Sequence, residues 1–573
     1  MDPEPRSRTI NVSSPGQLAK IVIAAARTNP QIREGVMRKM LKDLTPVYPP
    51  LESLPCANAH WQWQAAESPS CNKPGKLVCG SCRLTAYCSR ECQKAHWKAH
   101  KKDCKSKLRD EDWQPSWGTT PAMDVLNLEM NEKDLSSDLN LAFIASGDLR
   151  NVVKTINSLP SEFSGRLTIL LNDAPPIASQ NLLLLTTLAT VPDEVLAADI
   201  ALHYWYSAFL LPEYEAQVQL AADIVLNKIQ DEQGNVPLGE KSTLGWYYGA
   251  KSKEYLWHCL NGKISEEVAR TEYTQAQTAI SRRDHRERFK AQLRPSHRVA
   301  FEEYRRSGIV RPFGVQNPHF TKPNLSLFTL EGKWWQSDSA SPLNGWDPCE
   351  VIKTGKRYGA QPEDIFGCLY FFLSEQLRTF ARRIREMRIA FKLFCWSPCE
   401  VGEFMKKNVF EDIDLPSATR FDRIDVSNIM DQDHRFGARL ENVLEVWGSL
   451  LSERPSAALV GCFIFWFVGN DGSSSANSGE KIALECTQRL VDLEQMNDKL
   501  ANLVTQKYMA TYNLDAVFEN SKAFIAYLRK NGLTEVLEKT NLKLRDQNTI
   551  LPHVRDTFSW IFGKGLTMGM DDR

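Results

Sequence analysis

The sequence predicts a protein of several domains, in which a small cysteine-rich module precedes an α/β body and a helical C-terminal region. Three observations support this prediction. At 573 residues the chain is too long for one ordinary hydrophobic core. Seven of its 14 cysteines fall between residues 56 and 104. Beyond residue 113, short apolar runs alternate with stretches of helical periodicity, which is the order expected of β-α-β units.

The composition fits a folded intracellular protein. Apolar residues make up 42% of the chain, and 70 Lys and Arg residues balance 70 Asp and Glu residues. A net charge of zero argues against nucleic acid as a partner. The N-terminus lacks the apolar run of a signal peptide, and the apolar run 457–468 is shorter than the roughly 20 residues of a membrane span. We therefore expect an intracellular protein that does not bind membranes, in the cytoplasm in preference to the nucleus.

The first 50 residues are predicted to be an N-terminal segment that is helical and partly disordered. Residues 1–15 have the composition of a disordered tail, and 17–44 carries two helical patterns that break at Asn29-Pro30. Residues 47–50 (VYPP) indicate an extended linker. The cysteine-rich module then occupies 51–108.

The cysteine spacing predicts structural zinc. From Cys79 onward the order is Cys-x2-Cys-x5-Cys-x3-Cys-x7-His-x3-Cys. Thiolates bind Zn²⁺ strongly, and short spacers let two sulfurs from one turn reach one ion. Closed four-ligand sites leave no position for a reactive water, so zinc catalysis is not expected. Eight candidate ligands suffice for two structural zinc ions: Cys56, Cys71, Cys79, Cys82, Cys88, Cys92, His100 and Cys104.

This module resembles a MYND-type zinc finger. The resemblance covers about fifty residues, including the YCS run at 87–89, the Gln93-Lys94 pair before Trp97, and HKKDC at 100–104. It implies a cross-brace, in which alternate pairs of ligands share an ion. One zinc would take Cys56, Cys71, Cys88 and Cys92, and the other Cys79, Cys82, His100 and Cys104.

The first ligand pair departs from the family pattern. The family usually opens with Cys-x2-Cys, whereas fourteen residues separate Cys56 from Cys71. His60 in the intervening loop is therefore an alternative outer ligand. His96 is expected to be a surface residue of the helix over 89–107 and not a ligand.

The resemblance also implies a partner. Several MYND fingers bind short proline-containing peptides, and a rigid fold with exposed aromatics can dock a preformed polyproline segment at low entropic cost. Gln93 and Trp97 lie on the helix that would line such a groove. The competing interpretation is that Trp97 packs against the zinc core. We predict a protein or a proline-containing peptide as the partner.

The body, residues 113–480, is predicted to have a Rossmann-like fold. Strands are expected at 139–144 and 167–171, with a turn and a helix between them, and again at 421–427 and 459–468. A helical insertion is expected over about 195–310. The C-terminal region, 481–573, has helical periodicity.

The strand ends of the body allow an enzymatic alternative. Gly147 follows the first strand and Asp173 the second, where Rossmann-like folds bind a dinucleotide or S-adenosylmethionine. The run FDRIDVSN at 421–428 resembles the fourth-strand segment of class I methyltransferases. The alternative function is an S-adenosylmethionine-dependent methyltransferase, with Asp425 or Asn428 near the substrate. A scaffold that keeps the fold without the cofactor is the competing interpretation, since the turn has one glycine between Ala145 and Arg150.

A second resemblance favours a non-enzymatic role. The runs WGTTPAMDVLNL, LAFIASGDLRNVVKTI and LTILLNDAPPIASQNLLLL, within 113–190, are similar to the N-terminal domain of axonemal dynein assembly factor 3 proteins. This resemblance implies an assembly role through protein contacts. The chain also lacks the Asn-His-Ser-Cys segment of SET methyltransferases, the Gly-x-Ser-x-Gly elbow and the P-loop. We therefore predict a zinc-binding adaptor or assembly factor.

Overall fold

The structure is a computed structural model that describes residues 50–104, 121–473 and 520–550. The predicted helical patterns at 17–44, the loop with His60, and most of the C-terminal region lie outside the described residues. Short gaps within the described ranges fall at 59–70, 72, 81, 232–234, 248, 279–285, 288–289, 291–292, 316, 337–339, 432–437, 464–465, 467–469, 471 and 546–548.

The cysteine-rich module, called the finger below, consists of a hairpin and a helix. Strands β1 (Leu77–Val78) and β2 (Ala86–Tyr87) pair antiparallel, with Leu77 opposite Tyr87. Helix α1 (Arg90–Cys104) follows directly and has Glu91 in its first turn, where a negative charge favours the helix dipole.

The body combines one large sheet with helices on both faces. Its strands are β3 (Leu139–Phe143), β4 (Leu167–Asn172), β5 (Phe209–Leu210), β6 (Val236–Leu238), β7 (Ser242–Tyr247), β8 (Lys322–Pro323), β9 (Ile389–Phe394), β10 (Arg423–Asp425) and β11 (Ala458–Val460). Its described helices are α2 (Arg150–Ser158), α3 (Pro175–Thr190), α4 (Glu194–Tyr206), α5 (Pro212–Asp231), α6 (Ala250–Asn261), α7 (Glu266–Thr278), α8 (Pro295–Ser307), α9 (Pro348–Arg357), α10 (Ile365–Glu386), α11 (Pro398–Lys406), α12 (Leu440–Gly448), α13 (Ser521–Lys530) and α14 (Leu533–Thr540).

The large sheet has the strand order β11-β10-β3-β4-β9-β7-β6. All neighbouring strands are parallel except β6 and β7, which form an antiparallel hairpin at one edge. The first strand along the chain, β3, lies in the middle, with β4 and β9 on one side and β10 and β11 on the other. The chain therefore reverses its direction of winding between β3 and β10, and a crevice is expected at the carboxyl ends of these two strands.

Helices cover both faces of the sheet, which explains the nearly continuous apolar sequence of its central strands. Leu141 and Phe143 of β3 pack into one core with α2, α3, α4 and α10. Ala142 of the same strand and Ile144 just beyond it face the other core, which α11, α12 and α14 complete. This alternation follows from the two-residue period of a strand.

Two elements differ from the sequence-based expectation. The segment 195–310 is mainly helical but also contains β5, β6 and β7, and β7 enters the large sheet beside β9. Of the apolar run expected as a strand from 459, the described strand β11 covers Ala458–Val460, and the Cys462 N–H donates to the carbonyl of Ser427 just beyond it at 2.7 Å. Strand β11 pairs in parallel with all three residues of β10. Among the described residues, none of the helices is long and apolar enough to span a bilayer.

Candidate metal centre and the carboxyl edge of the sheet

Four of the predicted ligands converge in the finger. The Sγ atoms of Cys56, Cys71, Cys88 and Cys92 all lie within 4.8 Å of one another. The Cys88 sulfur is 3.3 Å from that of Cys71 and 3.4 Å from that of Cys92. Sulfurs bound tetrahedrally to one Zn²⁺ are separated by about 3.8 Å. The group is therefore compact enough to hold one metal ion after a small expansion.

A second group brings together Cys79, Cys82 and His100. Their ligand atoms also lie within 4.8 Å of one another, and the Cys82 sulfur is 3.4 Å from Nε2 of His100. Cys104 ends helix α1 four residues after His100, a spacing that places it on the same helix face. The Cys104 side chain lies outside the described residues, so the structure places three of these four predicted ligands.

The crowding of the first group disfavours the ionised forms of two of its thiols, those of Cys56 and Cys88, whereas at Cys92 burial is outweighed by hydrogen bonds from Asn58 and the neighbouring thiols, which lower its pKa. Hydrogen bonds with the thiols of Cys71 and Cys92 raise the pKa of Cys88 to about 12. Burial raises the pKa of Cys56 as well. A divalent cation displaces such protons and neutralises the sulfurs, so this donor set suits zinc.

Local backbone geometry positions these ligands. The N–H of Arg83 donates to the carbonyl of Cys79 at 3.1 Å and closes the turn that carries Cys79 and Cys82. Arg83 takes a left-handed conformation there, with a φ of 58°. Ser89, just before α1, accepts a hydrogen bond from the Cys92 N–H at 3.3 Å, which orients the first turn of the helix.

Two supporting residues were not predicted from the sequence. The hydroxyl of Thr85 lies 3.3 Å from His100 Nε2, and the hydroxyl of Tyr87 lies 3.2 Å from His96 Nδ1. The sequence did contain a signal for them: Thr85 and Tyr87 are two residues apart in the hairpin, so their side chains lie on the same face. His96 is half-buried and belongs to neither group of ligand atoms within the described residues.

The outer face of α1 remains accessible. Trp97 is 40% exposed, while the edge of its ring contacts His100 at a centroid distance of 5.9 Å. Gln93 lies one helical turn earlier and is half-buried. Trp97 thus rests against a predicted ligand and still offers an aromatic surface to solvent.

The predicted cofactor residues meet at the carboxyl edge of the sheet. Gly147 has a φ of 55°, and its N–H donates to Oδ2 of Asp173 at 2.6 Å. Its carbonyl accepts a hydrogen bond from Asn181 at 3.0 Å. Burial, with a smaller effect of Asp148, raises the pKa of Asp173 to about 6, although the N–H groups of Ala174 and Gly147 act in the opposite direction.

Asp425 lies at the end of the adjacent strand β10. Its carboxylate accepts hydrogen bonds from the Asn151 side chain and the Ser427 N–H, each at 2.9 Å. Burial raises its pKa. Asn428 follows in a half-exposed turn. Gly147 thus lies after β3 and Asp425 ends β10, the two strands between which the winding reverses. Asn151 and Asn181, which orient them, were not predicted.

Comparisons with known proteins agree with both parts of the chain. Residues 69–104 match the MYND finger family, and residues 116–210 match a domain of unknown function (DUF4470). Dynein axonemal assembly factor 3 of Danio rerio is 35% identical over 79 residues, or 14% of this chain and 17% of that protein. SET domain-containing protein 14 of Caenorhabditis elegans is 61% identical over 28 residues, or 5% of this chain and 6% of that protein.

These matches are local, because the chain covers less than a fifth of the length of either relative. No solved structure matches the chain. The resemblances to the MYND finger and to the assembly factor are confirmed. The MYND match implies zinc binding, and the two groups of ligand atoms are suited to hold metal. The chain therefore contains a MYND finger, followed by a body whose first part is similar to a dynein axonemal assembly factor.

Proposed function

We propose that this protein is a zinc-dependent interaction adaptor or assembly factor, whose finger docks a proline-containing peptide. The observation that carries the proposal is the position of Trp97 on α1. Its ring rests on His100 of the second ligand group, yet 40% of the residue remains exposed. A metal-stabilised helix with an exposed aromatic ring is a rigid platform for an extended peptide.

The proposal includes two structural zinc ions in a cross-brace. Cys56, Cys71, Cys88 and Cys92 would hold the first ion. Cys79, Cys82, His100 and Cys104 would hold the second. With four protein ligands at each ion, neither has an open position for a substrate, and the metal acts by fixing the fold.

The side chains of Trp97 and Gln93 on α1 favour a proline-containing partner. An indole ring packs well against a proline ring, and polyproline conformation carries unpaired carbonyls that can accept hydrogen bonds from a side-chain amide such as that of Gln93. The similarity to a dynein axonemal assembly factor supports a role in bringing proteins together. The match covers only 17% of that relative. The proposed assembly role therefore depends on the finger as well as on this similarity of the body.

Replacement of Trp97 tests this function. We expect Trp97→Ala to weaken binding of an immobilised proline-containing peptide by about 30-fold, the loss of about 2 kcal/mol typical of a central aromatic anchor. Trp257→Ala is the matched control, since Trp257 lies in α6 of the body and is 63% exposed. Equal binding by both variants, with unchanged zinc content, would contradict docking on α1.

The order of the strands supports a second candidate, an S-adenosylmethionine-dependent methyltransferase. With the edge hairpin of β6 and β7 left out, the strands β9-β4-β3-β10-β11, numbered along the chain, follow the order 3-2-1-4-5 of a Rossmann-like sheet. Gly147 and Asp173 would lie near the cofactor, and Asp425 or Asn428 near the substrate. The carboxylate of Asp173 would accept the ribose hydroxyls after releasing the Gly147 N–H.

Calorimetric titration of the full chain with S-adenosylmethionine and S-adenosylhomocysteine tests this candidate. Binding with a Kd at or below about 100 µM, or about −5.5 kcal/mol, would support it. The Asp173→Asn variant should then bind more weakly, because the amide has one acceptor oxygen where the carboxylate has two. A folded wild-type protein that binds neither compound would leave the body as a scaffold.

A further inference from the structure

We infer that the finger is a zinc-dependent clasp on the body, so that metal binding in the finger stabilises helix α10 and the helices packed around it. The inference rests on the zinc binding proposed above. It is carried by residues 50–58, called the strap below, which belong to the finger and to the core of the body at the same time.

The strap contributes to the hydrophobic core of the body. Leu51 and Leu54 are 6% and 5% exposed, and both pack in the same core as α2, α3, α4 and α10. Ala86 of β2 joins that core from the finger. The N–H of Leu54 also donates to the carbonyl of Tyr358, just after α9, at 3.0 Å. The finger is therefore packed against the body by buried apolar contacts and a backbone hydrogen bond.

A buried chain of hydrogen bonds extends this contact into three helices. The N–H of Leu51 donates to the hydroxyl of Tyr370 in α10 at 3.0 Å. That hydroxyl donates to Oδ1 of Asp199 in α4 at 2.6 Å, and Tyr214 of α5 donates to the other carboxylate oxygen. All four residues are buried. The position of the strap is thus coupled to a carboxylate that also joins α4, α5 and α10.

The strap also forms backbone hydrogen bonds with the rest of the finger. Cys56, a member of the first ligand group, donates its N–H to the carbonyl of Lys73 at 3.0 Å. Ala57 donates to the carbonyl of Ala86 at 2.8 Å. An ion bound at Cys56 would therefore fix the strap two residues from Leu54, whereas an apo finger would leave it tethered by its contacts with the body alone.

A second contact joins the finger to the start of α10. Arg83 in the turn between Cys79 and Thr85 forms an ion pair with Glu363, with a 3.1 Å separation of Nε and Oε1. On the body side, the N–H of Phe313 donates to Asp364 at 2.9 Å, and Asp364 caps α10 through the Gly367 N–H. The first ligand group is thus linked to α10 through the strap, and the second is linked through this turn to the residues just before α10.

Hydrogen exchange of the full chain, with and without zinc, tests the clasp. After complete removal of zinc by a chelator, we expect backbone amides of α4, α5 and α10 to exchange faster by about tenfold or more. Helices α12 and α14 belong to the core on the opposite face of the sheet and should be unaffected. Unchanged protection of α10 in protein shown to have lost its zinc would overturn the inference.

Two leucines of the finger provide matched variants. Leu54→Ala removes a side chain buried in the body, whereas Leu77→Ala changes a residue of β1 that is 47% exposed. We expect Leu54→Ala to keep its zinc, to exchange faster in α10, and to respond less to the chelator. Leu77→Ala should behave as the wild type. Equal behaviour of the two variants would contradict the clasp.

Metal analysis separates this inference from the proposed function. Protein that never carries zinc overturns both, because the proposed metal sites would then be absent. Protein that carries zinc and loses it without any change in α10 overturns the clasp alone and leaves the adaptor function intact.

Discussion

Removal of a single hydroxyl group should show how much of the stability of the body depends on the strap. Tyr370 is 1% exposed, and its hydroxyl accepts from the Leu51 N–H and donates to the buried carboxylate of Asp199. Tyr370→Phe removes a hydrogen bond to a charged group, worth about 1.5–3 kcal/mol, and leaves a buried N–H without its partner, at a cost of about 1–3 kcal/mol. We expect the free energy of unfolding to fall by about 3–5 kcal/mol, measured by urea denaturation followed by circular dichroism.

Tyr358→Phe is the control for this measurement. The rings of Tyr358 and Tyr370 both contact Phe371, at centroid distances of 5.1 and 5.2 Å. The Tyr358 hydroxyl, however, is half-exposed and donates to Glu375 at 3.2 Å, beside an arginine that already pairs with that carboxylate. Its loss should cost at most about 1 kcal/mol, because water can replace the bond. Equal losses in the two variants would refute the argument that Tyr370 links the strap to a buried charge.

Two further predictions concern helices α9 and α10. In Gly355→Ala the added methyl group would lie 2.4 Å from the sulfur of Cys368, so we expect a lower Tm, whereas Gly249→Ala, which meets open space, should leave the Tm within a degree or two of the wild type. Burial raises the pKa of Asp364 to about 7, and the folded state therefore binds a proton that the unfolded state has released above about pH 4. The free energy of unfolding of the wild type, relative to that of Asp364→Asn, should fall as the pH rises from about 4 to about 7, by up to about 4 kcal/mol. Urea denaturation of both proteins across this range checks the sign, and a constant difference would contradict the buried acid.

The features that the sequence predicts well are local. Cys79 and Cys82 must share a turn, and His100 and Cys104 must share a helix face, whatever the rest of the chain does. The central strands are predictable for a similar reason, because a strand covered on both faces needs an uninterrupted apolar run, as in 167–171.

Features that depend on distant partners escaped prediction. Leu51 follows two prolines and has the sequence context of a linker, yet its N–H pairs with a residue 319 positions away. Strand β11 begins at Ala458 and pairs in parallel with β10, a partner that the apolar run at 459–468 does not reveal. The hairpin of β6 and β7 also escaped prediction, although it had a local signal. Gly239 lies between Val236–Leu238 and the apolar run from Leu244, and it takes a φ of 91°.

The clasp changes how the loss of a zinc ligand should be interpreted. Cys82→Ser is expected to unfold the finger and release the strap, so a partner lost in this variant could have been bound by α1 or by the body. Trp97→Ala separates these cases, because Trp97 is 40% exposed and its replacement leaves all the predicted zinc ligands in place. A proline-containing peptide that binds to neither variant is held by α1. A peptide that binds to Trp97→Ala but not to Cys82→Ser is held by a surface other than the Trp97 ring that requires the folded finger. A peptide that binds both variants contradicts any role of the finger in docking.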